Sequence, residues 1–322
     1  MNIEYDTSLT ESVVLQEIEK RERRGDPGLL NNYHEKVDPL YELDPLDREE
    51  EFENVHEQIF LDLGYGKLIK EVIEEFPLLN DKVSDIYINI SLVTEEANLM
   101  KKDFDDTGDL RKIKIKIRAE MFSSPEELRM VLRHELMHVI DMLDEAYGYD
   151  TKIPALNTVE ENFIRERYKI LWDIYIDSRL GREGKKTIAS RDKRFSEFSV
   201  IYQKIPYSQR LVMFDNLWGR ERMTHGEILG MAGDLMNMVA TVGDASAVEL
   251  IKEKKKAYQP GSPCPLCQFP TYNWAKELNL EDEDEKRLYS AIRVDFPGWE
   301  PQEGACERCV ELYKFNLEES KV

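Results

Sequence analysis

The sequence predicts an α+β fold: a small, mostly antiparallel sheet packed against a long helix, then a helical subdomain, with a small cysteine-containing module closing the chain. Three observations predict it. Residues 85–92 and 112–118 alternate apolar and polar side chains at period two, the pattern of half-buried strands. The stretch from Pro125 to about residue 241 carries helical periodicity in several capped runs. All four cysteines fall in two CxxC pairs beyond Gly261.

Taken in order, residues 1–57 read as an acidic N-terminal extension. Ser8-Leu-Thr-Glu11 has the form of a capping box before a helix to about Arg24, which Asp26-Pro-Gly28 ends. Residues 35–53 mix proline with acids and are expected to be mobile or peripheral. Residues 58–79, with Ile59, Leu68, Ile69, Val72 and Ile73, predict one helix. In the strand at 112–118 every second residue is cationic, which suits an edge strand that blocks further pairing. Ser124, Pro125 and Glu127 supply an N-cap, an N1 proline and a capping-box acid for a helix to about Leu143. Further helices are expected over 159–180, 193–204, 207–219 and 224–241. The expected domains are 1–57, 58–245 and 246–322.

Composition narrows the function. At ~100–200 residues per domain, 322 residues make about two domains. The 41% hydrophobic content is enough to bury a core. A net charge of −21 repels phosphates and anionic lipid, so neither nucleic acid nor a membrane is the expected partner. No apolar run approaches the ~18 residues of a membrane span, and Met-Asn-Ile-Glu-Tyr-Asp is no secretory signal. The expected compartment is the cytoplasm, where four cysteines read as metal ligands rather than disulfides.

The chemistry sits on the helix from Pro125, at His134-Glu135-Leu136-Met137-His138. Positions i and i+4 share a helix face, so two imidazoles can grip one Zn²⁺ while Glu135 reaches the water on it. Zinc lowers that water's pKa towards ~7 and the glutamate takes its proton. Leu128, Val131, Leu132, Val139, Ile140 and Leu143 would bury the helix.

Over about residues 85–180 the sequence resembles the zincin metallopeptidases, in which an alternating strand, a capped turn and an HExxH helix follow in this order. The resemblance implies a zincin-like domain and a third ligand downstream. In gluzincins that ligand is the glutamate of Glu-x-x-x-Asp, whose aspartate holds the first histidine. Asp173-x-x-x-Asp177 fits the register with Asp for Glu, making Asp173 the ligand and Asp177 its support. The stretch is also similar to the Trp-Asn-x-Ala-x-Asp helix of bacterial metallopeptidases associated with von Willebrand A domains, which makes Asp177 the ligand. Asp144, at the metzincin position, and Glu160, Glu161 and Glu166 are the other candidates. His225-Gly226 followed by a zinc ribbon resembles SprT-like proteases, although the spacing from His138 is far longer than theirs. His225 is also a candidate oxyanion donor of the gluzincin kind, beside Tyr147, Tyr149 and Tyr175. His34 and His56 read as surface residues.

Cys264-Pro-Leu-Cys267 and Cys306-Glu-Arg-Cys309 each make a turn that aims two thiolates at one metal. Together they predict a Cys₄ site of zinc-ribbon or treble-clef type, with iron as the alternative metal. Pro265, Phe269, Pro270, Trp274, Phe296, Trp299 and Tyr313 are its expected core, with a short helix over about 273–292. The whole predicts a metallopeptidase with one catalytic and one structural zinc and a peptide or protein substrate. The alternatives are an inactive zinc-binding scaffold and an assembly factor that docks a partner through its C-terminal module.

Overall fold

Asp6, not Ser8, opens the first helix of the computed structural model: its carboxylate accepts the Ser8 backbone N–H at 2.9 Å. The strand β1 (Asn2–Tyr5) ends just before it and α1 (Thr7–Arg23) begins just after, so a side-chain cap is needed there rather than two residues on. The structure describes residues 1–101, 110–203, 205–243, 260–276, 278–280 and 282–319. They form a mixed, mostly helical α+β chain in two compact units, one of Met1–Pro154 with Ile164–Val242 and one of Ala155–Phe163 with Gly243–Val322.

In the first unit α1 is followed by α2 (Gly28–Val37), α3 (Pro45–Asp62), α4 (Tyr65–Glu74) and α5 (Pro77–Lys82). The single helix expected over 58–79 is therefore broken twice. Gly64 sits at φ 84°, a left-handed conformation that glycine adopts without strain, and Pro77 cannot continue the helix before it. Next come β2 (Val83–Ile90), β3 (Glu96–Leu99), β4 (Arg111–Ile117) and α6 (Pro125–Leu143). The remaining helices are α7 (Thr158–Arg182), α8 (Arg191–Ile201), α9 (Tyr207–Trp218), α10 (His225–Gly233) and α11 (Leu235–Val242). The run expected over 224–241 divides at Asp234, whose extended backbone separates α10 from α11.

The sheet has the order β1-β2-β4-β3, with β1/β2 and β2/β4 parallel and β3/β4 antiparallel. It is thus mostly parallel, not mostly antiparallel. Side-chain alternation shows which face is wet but carries no strand direction, and the helical crossover from β1 to β2 enforces the parallel pairing. The cationic strand β4 is internal rather than an edge. Ile113, Ile115 and Ile117 fill one face, and on the other Lys116 pairs with Glu96 of β3 at 2.5 Å. Cross-strand charge pairing makes a lysine-rich internal strand affordable. Among the described residues the edge strands of the sheet are β1 and β3.

Residues 1–57 do not hang off this core. Leu9, Val13, Val14 and Ile18 of α1 pack with Ile59, Phe60, Ile69 and Val72 and with Ile86, Ile88, Ile113 and Ile115 of the sheet. The acids that suggested an extension, Asp44 to Glu51, are mostly the outer face of α3. His56, expected at the surface, is buried against Tyr33, with Nε2 3.2 Å from the phenol oxygen. Leu9→Ala is expected to cost about 2–5 kcal/mol in denaturant unfolding. A chain begun at residue 58 is expected not to fold.

In the second unit β5 (Ser262–Pro263) and β6 (Pro270–Thr271) pair antiparallel, and α12 (Glu283–Asp295) and α13 (Glu307–Glu319) follow. The helix expected from about 273 begins later, because Asp282 caps Asp284 and Glu285. Leu288, Ile292, Trp299 and Val310 make the core around the cysteines, with Phe296 and Tyr313 against it. Phe269 is not in that core but 70% exposed. Among the described residues no helix is long and apolar enough to cross a membrane.

Candidate metal centres

Ser124 accepts the Glu127 N–H and Pro125 occupies the first turn, so α6 starts where the cap dictates. Leu128, Leu132, Leu136 and Val139 are fully buried and fasten the helix to the sheet core. His134 and His138 lie one turn apart with ring centroids 5.0 Å from each other, both buried. α7 is buried almost all round from Leu171 to Ser178, which forces Asp173 and Asp177 into the interior.

His134, His138 and Asp173 come together as a ligand-capable group, each offering an atom within 4.8 Å of the others. Asp173 Oδ1 lies 3.4 Å from His134 Nε2 and 3.2 Å from His138 Nε2. Ligands about 2.0–2.1 Å from a tetrahedral zinc stand about 3.3 Å from each other, so the spacing fits such an ion. Asp177 is on the far side of His134, where its Oδ1 accepts the Nδ1–H at 2.9 Å. It fixes the ring so that Nε2 faces the group. Asp144, Glu160, Glu161 and Glu166 are not in the group. Asp144 instead accepts the Ala146 N–H, and Glu160 that of Leu156.

The electrostatics follow from burial and pairing. Burial drives the His134 imidazolium down, but hydrogen bonds to Asp173 and Asp177 outweigh it and lift its pKa to about 9. Burial opposes ionisation of Asp173 too, yet the two histidines hold it far below the usual carboxylate range. Burial lowers His138. Without a metal ion a proton thus sits where an ion could, and an ion bound there would displace it. This raised pKa stabilises the metal-free fold fully below the ordinary value of 6.5 and loses that contribution as pH rises through about 9. Urea unfolding of metal-free protein should therefore show stability falling from pH 7 to 9.5, and less steeply in His134→Asn.

Glu135 points from the same helix to the sheet edge, where its Oε2 accepts the Ala97 N–H of β3 at 3.0 Å. Burial raises its pKa to about 7. His225 is not in the ligand group. It begins α10 behind the Thr224–Glu227 capping box, and its Nδ1 lies 2.7 Å from the Tyr168 hydroxyl, itself 2.8 Å from that of Tyr147. Its buried Nε2 has no hydrogen-bond partner among the described residues. Trp172 connects this aromatic cluster to the site, edge-on to His138 at 4.3 Å and stacked on Tyr147 and Tyr149. The Tyr175 hydroxyl oxygen accepts the Met223 N–H at 3.0 Å.

Sequence reasoning missed three partners. Asp141, one turn after His138, accepts Trp172 Nε1 at 2.6 Å and both arms of Arg179. Ala97 is a backbone contact with no side-chain signal. Arg194 donates to Asp177 at 2.6 Å, yet it sits in Arg191-Asp-Lys-Arg194, which reads as a solvated helix start. The available signal was its place one turn before Phe198 on a buried face.

The four cysteines form the other group. Cys264 N–H binds Phe269 O, Gln268 N–H binds Cys264 O, and Gln268 takes φ 61° to close the turn. The Cys306 N–H points at Cys264 Sγ, 3.3 Å away. Cys267 and Cys306 sulfurs are 3.9 Å apart, near the ~3.8 Å that four thiolates 2.3 Å from a tetrahedral zinc would show. Burial opposes the Cys264 thiolate, but backbone N–H groups at the turns bring its pKa down to about 7. Burial and neighbouring thiols push Cys309 up. Four thiols this close cannot all ionise without a cation, so the donor set suits a metal ion. Comparison with protein-family models, curated proteins and solved structures finds no match to this chain.

Proposed function

We propose that the chain is a zinc-dependent metallopeptidase of zincin type, with catalytic zinc on His134, His138 and Asp173 and structural zinc on the four cysteines. The observation that carries this reading is Glu135: a partly buried acid between the two histidines of the ligand group on one helix, with its pKa near neutrality and its carboxylate on the outer edge of β3. Zinc there supplies a Lewis acid and a more acidic water. His134, His138 and Asp173 would hold the ion, and three protein ligands would leave room for a water, as hydrolytic sites require. Glu135 takes the proton of the attacking water and returns it to the leaving amine. An extended peptide adds to the outer edge of β3, which pairs with no further strand among the described residues, by backbone hydrogen bonds that lay its carbonyls along the site. His225 is connected to His138 through Tyr168 and Trp172 and remains the candidate oxyanion donor.

The Cys₄ module serves folding and docking, since a closed thiolate site has no position for substrate. Phe269 and Tyr272, 70% and 67% exposed beside it, give it an apolar face for a protein partner. The test is to incubate the zinc-loaded full chain with unfolded polypeptides and read new termini by mass spectrometry. Cleavage suppressed by a chelator and restored by zinc is expected. A fully loaded chain that cleaves nothing contradicts the peptidase reading and leaves a scaffold.

A further inference from the structure

Arg194 lies on α8, outside every motif, and is 5% exposed. Three carboxylates meet it. Its Nε donates to Asp177 Oδ2 at 2.6 Å, and its Nη1 donates to Asp173 Oδ2 at 3.3 Å and to Glu197 Oε2 at 2.8 Å. Burying a guanidinium is unfavourable unless such partners are present, and removing it would take one cationic partner from each of two buried aspartates. Fully buried Phe198, one turn on, packs on Tyr202 and Phe214 and anchors α8.

The arrangement divides each aspartate between two tasks. Asp173 turns Oδ1 to the histidine Nε2 atoms and Oδ2 to the guanidinium. Asp177 turns Oδ1 to His134 Nδ1 and Oδ2 to the guanidinium. A planar fork suits this, because it can hold two carboxylates at fixed angles where an ammonium cannot.

We propose that Arg194 is a positioning residue of the His134–His138–Asp173 centre: it holds back Asp173 Oδ2 so that Oδ1 alone is offered to the metal, and it fixes the Asp177 carboxylate that orients His134. The inference rests on the metal assignment proposed above. Without the guanidinium Asp173 is free to turn both oxygens to the ion, which fills the coordination position that hydrolysis needs open.

The experiment uses the full chain with Zn²⁺ or Co²⁺ alone as probe. The cobalt spectrum of each protein is read as a difference against His134→Ala, which isolates the histidine site from the cysteine site. Zinc affinity is measured by competition with a chromophoric chelator. Arg194→Met is expected to weaken zinc binding about 10–100-fold. It should also lower the intensity of the cobalt d–d bands, as coordination rises from four to five. Arg194→Lys keeps the charge and the fold but lacks the fork, so it should show the same spectral change with a smaller loss of affinity. A purely structural strut would not move the spectrum. If Arg194→Met does not fold, Arg194→Lys decides. Either folded variant with wild-type affinity and an unchanged spectrum overturns the proposal alone. A wild-type chain that binds no more cobalt than His134→Ala overturns the metal assignment, and this proposal with it.

Discussion

Glu135→Gln is expected to keep both metals and to lower peptide hydrolysis by about 10²–10⁴-fold. The amide has the shape of the acid, and its oxygen can still accept the Ala97 N–H, so α6 and the β3 edge should stay in place. It cannot take a proton from water. The loss should therefore appear in kcat, with KM little changed, because substrate binding along β3 does not need the base. Unchanged hydrolysis at full zinc occupancy would remove Glu135 from the chemistry. Equal loss of zinc and activity would instead make Glu135 a structural partner of His134.

Cys309→Ser is expected to cost one metal per chain and the fold of the second unit. Its small core, Leu288, Ile292, Trp299 and Val310, is interleaved with the cysteines and has little else to hold it. A structural zinc is worth about 10–16 kcal/mol in small domains, as much as the whole stability of an ordinary one. Limited proteolysis should cut the variant after about residue 243 while the first unit survives. The histidine site should stay loaded, because its ligands come from α6 and α7. A variant that keeps two metals and wild-type protease resistance would mean that the cysteines do not form one site.

Local chemistry was the legible part of this protein. The cap at Ser124, the i, i+4 histidines and the CxxC turns each depend on residues within a few positions, and the structure places them as the spacing implies. Asp173 reached the group, with Asp177 behind His134, because four residues on a buried helix return to the same face. What depended on distant partners was not legible. Strand direction in β2 and β4 is set by the crossovers, and the lysines of β4 look like an edge until Glu96 arrives from β3. The acids of α3 concealed that α1 packs beneath it in the core. Arg194 is buried only because two aspartates from another helix wait for it.

The most direct test of the account is metal content per chain, measured on wild type and on His134→Ala. The account predicts about two zincs, falling to one in the variant with the cysteine site still filled. One zinc in both proteins would contradict it, since the histidine group would then hold no ion and Glu135 would have no metal to work beside.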